Sequence, residues 1–259
     1  MNKQIMQTFA LALLLFAGGC SNESSLVPEP AVKGEITIQT RAGDTEEHRL
    51  LAFNPAGACV LNQVISPSGT PTTLSLDEGS YEFFTFTGAN QFDLPVAGET
   101  DDITFTDAIT LSEGESLTPF KVSRAASITI PTDPVYAVDL KPATCEVDLE
   151  IESGASLAGK RITCTLKNMY NGFRPDGLSP ATVASELSTV ETVACFPTDG
   201  VAVLVCQIEG EEPEELTLKT AFLAGGSYRV KLTYKGLSFS PGFNDRWSTT
   251  TVKEVELHP

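Results

Sequence analysis

The chain has 259 residues, 41% of them hydrophobic, 20% charged and 8% aromatic, enough apolar material for one large core or two ordinary ones. Thirty-four Asp and Glu against 17 Lys and Arg leave a formal charge of −17, a surface that repels phosphate backbones and argues against nucleic-acid binding. Only two histidines occur, His48 and His258, which removes most histidine zinc sites and most Ser–His or Cys–His catalysis.

In chain order, the first element is an export signal over residues 1–19. Lys3 supplies its positive end, and residues 8–16 form an apolar run too short for the ~20 residues that span a bilayer as a helix. Ala17-Gly18-Gly19-Cys20 resembles the bacterial lipobox. Small residues let the extended backbone enter the signal peptidase, and the thiol of Cys20 is the nucleophile that takes up diacylglycerol. Cleavage then falls between Gly19 and Cys20, with lipid on Cys20. The alternative is a buried or disulfide-bonded cysteine behind an ordinary signal peptide. Two or more acyl chains, at ~0.8 kcal/mol per buried methylene, anchor durably where one gives reversible binding. Residues 20–33 then read as a polar, proline-bearing tether that cannot pack.

Beyond the tether the hydrophobic period is two. Alternating segments run over 34–40, 49–54, 58–66, 72–76, 80–87, 103–105 and 127–130. A second series covers 144–151, 161–167, 190–196, 201–208, 215–220, 227–234 and 249–257. The punctuation is turn chemistry, such as Asn54-Pro55-Ala56-Gly57 and Pro197-Thr198-Asp199-Gly200. Many short strands at regular spacing predict an all-β sandwich architecture. Residues 180–186 carry the one helical candidate. Two prolines near Ile130-Pro131-Thr132-Asp133-Pro134 divide the pattern into sandwich-sized halves, 34–131 and 132–259. The halves share an echo: Gly79-Ser80-Tyr81 after a turn in the first, Gly226-Ser227-Tyr228 in the second. In each, the tyrosine is expected to open a strand with its ring inward and its hydroxyl at the rim.

Five cysteines follow Cys20: Cys59, Cys145, Cys164, Cys195 and Cys206. Their odd number and lack of CxxC spacing give neither a zinc site nor a readable disulfide framework. Cys145, Cys164 and Cys206 lie on the apolar parity of their strands, where a free thiol behaves as a small hydrophobe. Two acidic clusters stand out, one around Glu99, Asp101 and Asp102, the other over 209–215. Neither has the alternating carboxylate spacing that wraps calcium, so both read as solvated tips. No nucleophile elbow, metalloprotease helix, phosphate loop or dinucleotide fingerprint is present, so no enzyme, cofactor or metal is expected.

The lipobox, the tether, an alternating strand ending in Thr40-Arg41-Ala42 and two sandwich halves together resemble the fimbrillin superfamily. Its members are lipoprotein precursors of pilus subunits and their anchors in Gram-negative anaerobic gut and oral bacteria. Further matching pieces are residues 49–57, 76–86, 138–147 and 166–170, so the likeness covers essentially the whole chain and rests on pattern and order. The resemblance implies two tandem transthyretin-like, Ig-like Greek-key β-sandwich domains. It also implies other fimbrial subunits as partners, the outer membrane reached through the lipid on Cys20, and a host or bacterial surface ligand. In polymerising members an arginine-specific surface protease cuts after the first strand, and a neighbour's strand fills the groove left behind. Here that strand would be residues 35–40 with Ile36 and Ile38 inward, and the scissile bond would join Arg41 to Ala42. The incoming strand would be 249–257, although its register alternates imperfectly. An ordinary surface arginine beside Gly43 and Asp44 is the alternative for Arg41. The chain is smaller than a typical stalk subunit, which leans the expectation toward an anchor or accessory lipoprotein. A glycan- or nutrient-capturing lipoprotein of an uptake complex is the competing reading, with Phe173, Phe243 and Trp247 as its candidate aromatics.

Overall fold

The computed structural model describes residues 32–41, 45–67, 70–153, 159–234 and 239–245, the side chains of Ser153 and of the last segment excepted. Gly19, Cys20, Ala42, Trp247 and residues 249–257 lie outside them, as does the side chain of Phe243. The chain lays down β1 (Lys33–Gln39), β2 (His48–Phe53), β3 (Cys59–Ile65), β4 (Thr72–Asp77), β5 (Gly79–Thr87), β6 (Ile109–Thr110), β7 (Lys121–Val122), β8 (Ala126–Ile130), β9 (Val135–Ala137) and β10 (Lys141–Pro142). It continues with β11 (Cys145–Ser153), β12 (Ile162–Tyr170), β13 (Gly172–Arg174), β14 (Gly177–Leu178), β15 (Thr182–Leu187), β16 (Val193–Cys195), β17 (Val203–Ile208), β18 (Glu214–Thr217), β19 (Ser227–Tyr234) and β20 (Phe239–Asp245). Among the described residues the only helical element is a 3-10 turn at Ala89–Gln91. The helix expected at 180–186 is instead β15, whose residues ladder against β12 from Cys164 to Tyr170. So short a segment has little helical propensity to set against an available sheet edge.

The first sandwich packs the sheet β4-β1-β9 over β10-β7-β5-β2-β3, with β8 also paired to β5. Ile36, Ile38, Leu50, Ala52, Leu74, Phe83, Ile128 and Ile130 fill the space between. The second sandwich packs β16-β11-β19-β20 with β15-β12-β17-β18. Its interior holds Val147, Leu149, Cys164, Leu166, Leu204, Cys206, Val230 and Leu232.

The six residues of β2 are all buried, which alternation with one wet face cannot produce. Leu50 and Ala52 enter the first core, while Leu51 and Phe53 point the other way, into the cluster that continues through the second sandwich. β5 repeats this, with Phe83 on one side and Phe84 and Phe86 on the other. A third sheet, β14-β13-β6, joins the two halves of the chain and helps cover that outer face. Gly172 opposes Thr110 there, and a Cβ on Gly172 would stand 2.3 Å from the Ile109 carbonyl oxygen, so only glycine permits the approach. The next residue, Phe173, is 2% exposed, with its ring 4.9–6.0 Å from those of Phe92, Phe120, Phe86 and Phe84.

The echoed tyrosines both fold back on their turns. Tyr81 donates its hydroxyl to the Asp77 carbonyl at 2.8 Å, and the Tyr228 hydroxyl accepts the Leu223 N–H at 2.8 Å.

Candidate functional site

The alternation of residues 34–40 becomes a strand with one dry face. Ile36 and Ile38 are 0% and 1% exposed in the first core, and Glu35 and Gln39 are exposed. Burying two isoleucines contributes about 3–6 kcal/mol in transfer terms, so the strand is part of the core.

β1 is the middle strand of its sheet. On one side it runs antiparallel to β4, from Lys33 opposite Asp77 to Ile38 opposite Thr72. On the other it runs parallel to β9, with Thr37, Ile38 and Gln39 beside Val135, Tyr136 and Ala137. The Thr37 N–H donates to the Pro134 carbonyl at 2.8 Å, and the Val138 N–H donates to the Gln39 carbonyl at 2.9 Å. Strands lie about 4.8 Å apart, so taking β1 out would leave a slot one strand wide between two unpaired edges, about 10 Å across. Its apolar floor would include Leu50 and Phe83.

The chain leaves that slot through Arg41. The Arg41 side chain is 71% exposed and its Nη2 lies 2.8 Å from Asp139 Oδ1, in the segment that follows β9. Lys141 Nζ approaches the other oxygen of Asp139 at 3.8 Å. A pair this exposed is worth at most about 1 kcal/mol and leaves the arginine open to a macromolecule.

The other candidate features behave differently. Phe173, one of the aromatics expected near a loop surface, is enclosed by other rings and presents no face for stacking a sugar. The acidic run at 209–215 caps the β17–β18 hairpin, and two of its carboxylates pair with lysines. Glu211 takes Lys160 at 2.5 Å and Glu215 takes Lys167 at 2.5 Å. The lysine holds the Glu211 carboxyl below its usual range. Among the described residues no three acidic, histidine or cysteine side chains converge as metal ligands would.

One feature has no signal in the sequence. β16 pairs with only Cys145, Glu146 and Val147 of β11, so beyond Val147 that side of β11 has no strand partner among the described residues. An open cleft lies there, lined by Asp148, Glu150, Lys160, Ile162, Thr189 and Arg229. Its charges neutralise one another: Arg229 pairs with Asp148 at 2.9 Å, and Lys231 lies 2.5 Å from Glu152 and 3.9 Å from Glu150.

No family model matches the chain, and no curated protein matches it in sequence. Solved structures match its fold. A candidate polysaccharide-binding protein of Bacteroides thetaiotaomicron superposes with a TM-score of 0.59 at 11% identity, covering 82% of this chain and 95% of that one. A candidate adhesin from Bacteroides ovatus gives 0.58 at 9% identity, over 86% and 96%. The fimbrial anchor protein Mfa2 of Porphyromonas gingivalis gives 0.57 at 12% identity, over 83% and 97%. The chain therefore shares the all-β fold of these proteins, the fold class that the sequence resemblance implied.

Proposed function

We propose that the chain is a surface lipoprotein of the fimbrillin type, held to the outer membrane by lipid on Cys20. It serves as a fimbrium subunit, as anchor or accessory in preference to stalk, and associates with neighbouring subunits by exchange of β-strands. The observation that carries this reading is the place of β1: a middle strand with two buried isoleucines, leading out of the sheet to an exposed arginine. A central strand bounded by a cleavable residue is what exchange requires, because its loss exposes two backbone edges and an apolar floor together. The Arg41–Ala42 bond is the cleavage point in a stalk subunit. In an anchor Cys20 stays acylated and β1 stays in its sheet. The shared fold with a fimbrial anchor protein supports the second form, and the fimbrial and adhesin-type relatives in fold support a non-enzymatic role.

Mass spectrometry of the protein from native membranes separates the cases. An acylated Cys20 identifies an anchor, a chain beginning at Ala42 identifies a stalk subunit, and a chain carrying unmodified Cys20 defeats both.

A second reading, a glycan- or nutrient-capturing lipoprotein of an uptake complex, draws on the fold shared with the Bacteroides thetaiotaomicron protein. It predicts glycan-array binding that Trp247→Ala abolishes. An array on which the unaltered chain binds nothing retires it.

A further inference from the structure

Two cysteine pairs face each other in the second sandwich. Cys145 of β11 stands opposite Cys195 of β16, and Cys164 of β12 opposite Cys206 of β17, both across antiparallel ladders. Directly opposed residues in such ladders have Cα atoms about 4.5 or 5.5 Å apart, both within the disulfide window of 4.4–6.8 Å. All four side chains are at most 1% exposed. The pairs differ in where the sulfurs point. Cys145 Sγ turns to backbone, 3.5 Å from the Cys195 carbonyl and 3.7 Å from that of Phe196, and Cys195 Sγ lies 3.9 Å from the Val193 carbonyl. Cys164 and Cys206 turn to each other with their Sγ atoms 2.6 Å apart, well inside van der Waals contact for two sulfurs.

We propose that Cys164 and Cys206 form a disulfide that ties β12 to β17 inside the second sandwich, while Cys59, Cys145 and Cys195 remain thiols. This accounts for all six cysteines: one sulfur for lipid, two for the bond, and three as small core hydrophobes. The bond rests on the export reading, because only an oxidising compartment sustains it. The oxidant is a disulfide of the exchange class. The thiolate of one cysteine attacks it and releases one reduced thiol, leaving a mixed disulfide. The second protein thiolate then attacks the protein sulfur of that mixed disulfide, forming the cross-strand bond and expelling the second reduced thiol. Two electrons pass to the oxidant, and the two cysteine protons end on its released thiols or in solvent. The facing Cys164 thiol and then burial push the Cys206 thiol far up in the folded chain, so exchange belongs to the folding chain and the finished bond is shielded.

The test uses the full chain twice. Protein from the producing cells is alkylated with N-ethylmaleimide in denaturant without reductant and digested. The expected result is one peptide pair joined through Cys164 and Cys206, with Cys59, Cys145 and Cys195 alkylated. Separately, the reduced chain is refolded in glutathione disulfide buffer or in dithiothreitol. The oxidised product should unfold roughly 5–15 °C higher, and the Cys164→Ala/Cys206→Ala variant should unfold alike in both buffers. Alkylation of all five cysteines after oxidative refolding, or a bond between Cys145 and Cys195 in place of the expected one, overturns the proposal. A bond that forms on refolding but is missing from cellular protein upholds the pair and counts against export. If the double variant does not fold, the peptide map alone decides.

Discussion

Phe173 lies where four other rings meet, and its backbone is pinned by the close approach of Gly172 to Ile109. Truncating it leaves a cavity that the surrounding sheets cannot collapse, so Phe173→Ala should cost about 3–5 kcal/mol, measured by denaturant unfolding. Its role was illegible in the sequence because the turn that follows it, Pro175-Asp176-Gly177, is an ordinary surface signal. Its burial depends on β6, more than 60 residues earlier. The tyrosine echo was legible for the opposite reason, since each hydroxyl bonds within five residues of its own turn. Tyr228 is buried and satisfies the part-buried Leu223 N–H, whereas the Tyr81 bond is exposed. Tyr228→Phe should therefore cost about 1–2 kcal/mol and Tyr81→Phe under about 1, again by denaturant unfolding. The exposed Arg41 and Asp139 make a third single-residue case. A protease must break that pair to seat the arginine, and the pair is worth ~0.2–1 kcal/mol. Asp139→Ala should speed arginine-specific cleavage after Arg41 by about 1.5–5-fold, followed by intact mass, with little change in stability.

Among elements, β1 showed its parity in the sequence but not its position. Alternation fixes which side chains point inward, and Ile36 and Ile38 do. It cannot say whether a strand is central or at an edge, because that depends on β9, about 98 residues further on, arriving parallel on the far side. Being central makes β1 costly to lose and specific to replace. A chain beginning at Ala42 should bind a synthetic peptide of residues 33–39 with saturable affinity, read by fluorescence polarisation. The same peptide carrying Ile36→Ser and Ile38→Ser should bind at least ~100-fold more weakly, since each buried isoleucine side chain is worth about 1.5–3 kcal/mol. Equal binding by the two peptides would mean that the slot reads backbone alone, and strand exchange would lose its specificity.

At the scale of the molecule, β2 and the second half of β5 are buried on both faces, and their outward side chains join the hydrophobic cluster of the second sandwich. The sequence carried this in a form that strand alternation masks: Leu50-Leu51-Ala52-Phe53 and Phe83-Phe84 are unbroken apolar runs, the mark of a strand with no wet face. Two halves each of ordinary domain size read naturally as separable units, yet the aromatic cluster runs from Phe53 and Phe84 on the first sheet through Phe173 to Phe196 in the second sandwich. Opening either sandwich alone would wet that cluster. Burial of several phenylalanines on each side is worth more than the few kcal/mol that separate folded from unfolded domains. Scanning calorimetry should therefore show one transition, with the calorimetric enthalpy equal to the van't Hoff enthalpy. Phe173→Ala should lower that single transition or begin to split it, because it weakens the contact through which each half senses the other. Two resolved transitions in the unaltered chain would show that the shared aromatic cluster does not couple the cores.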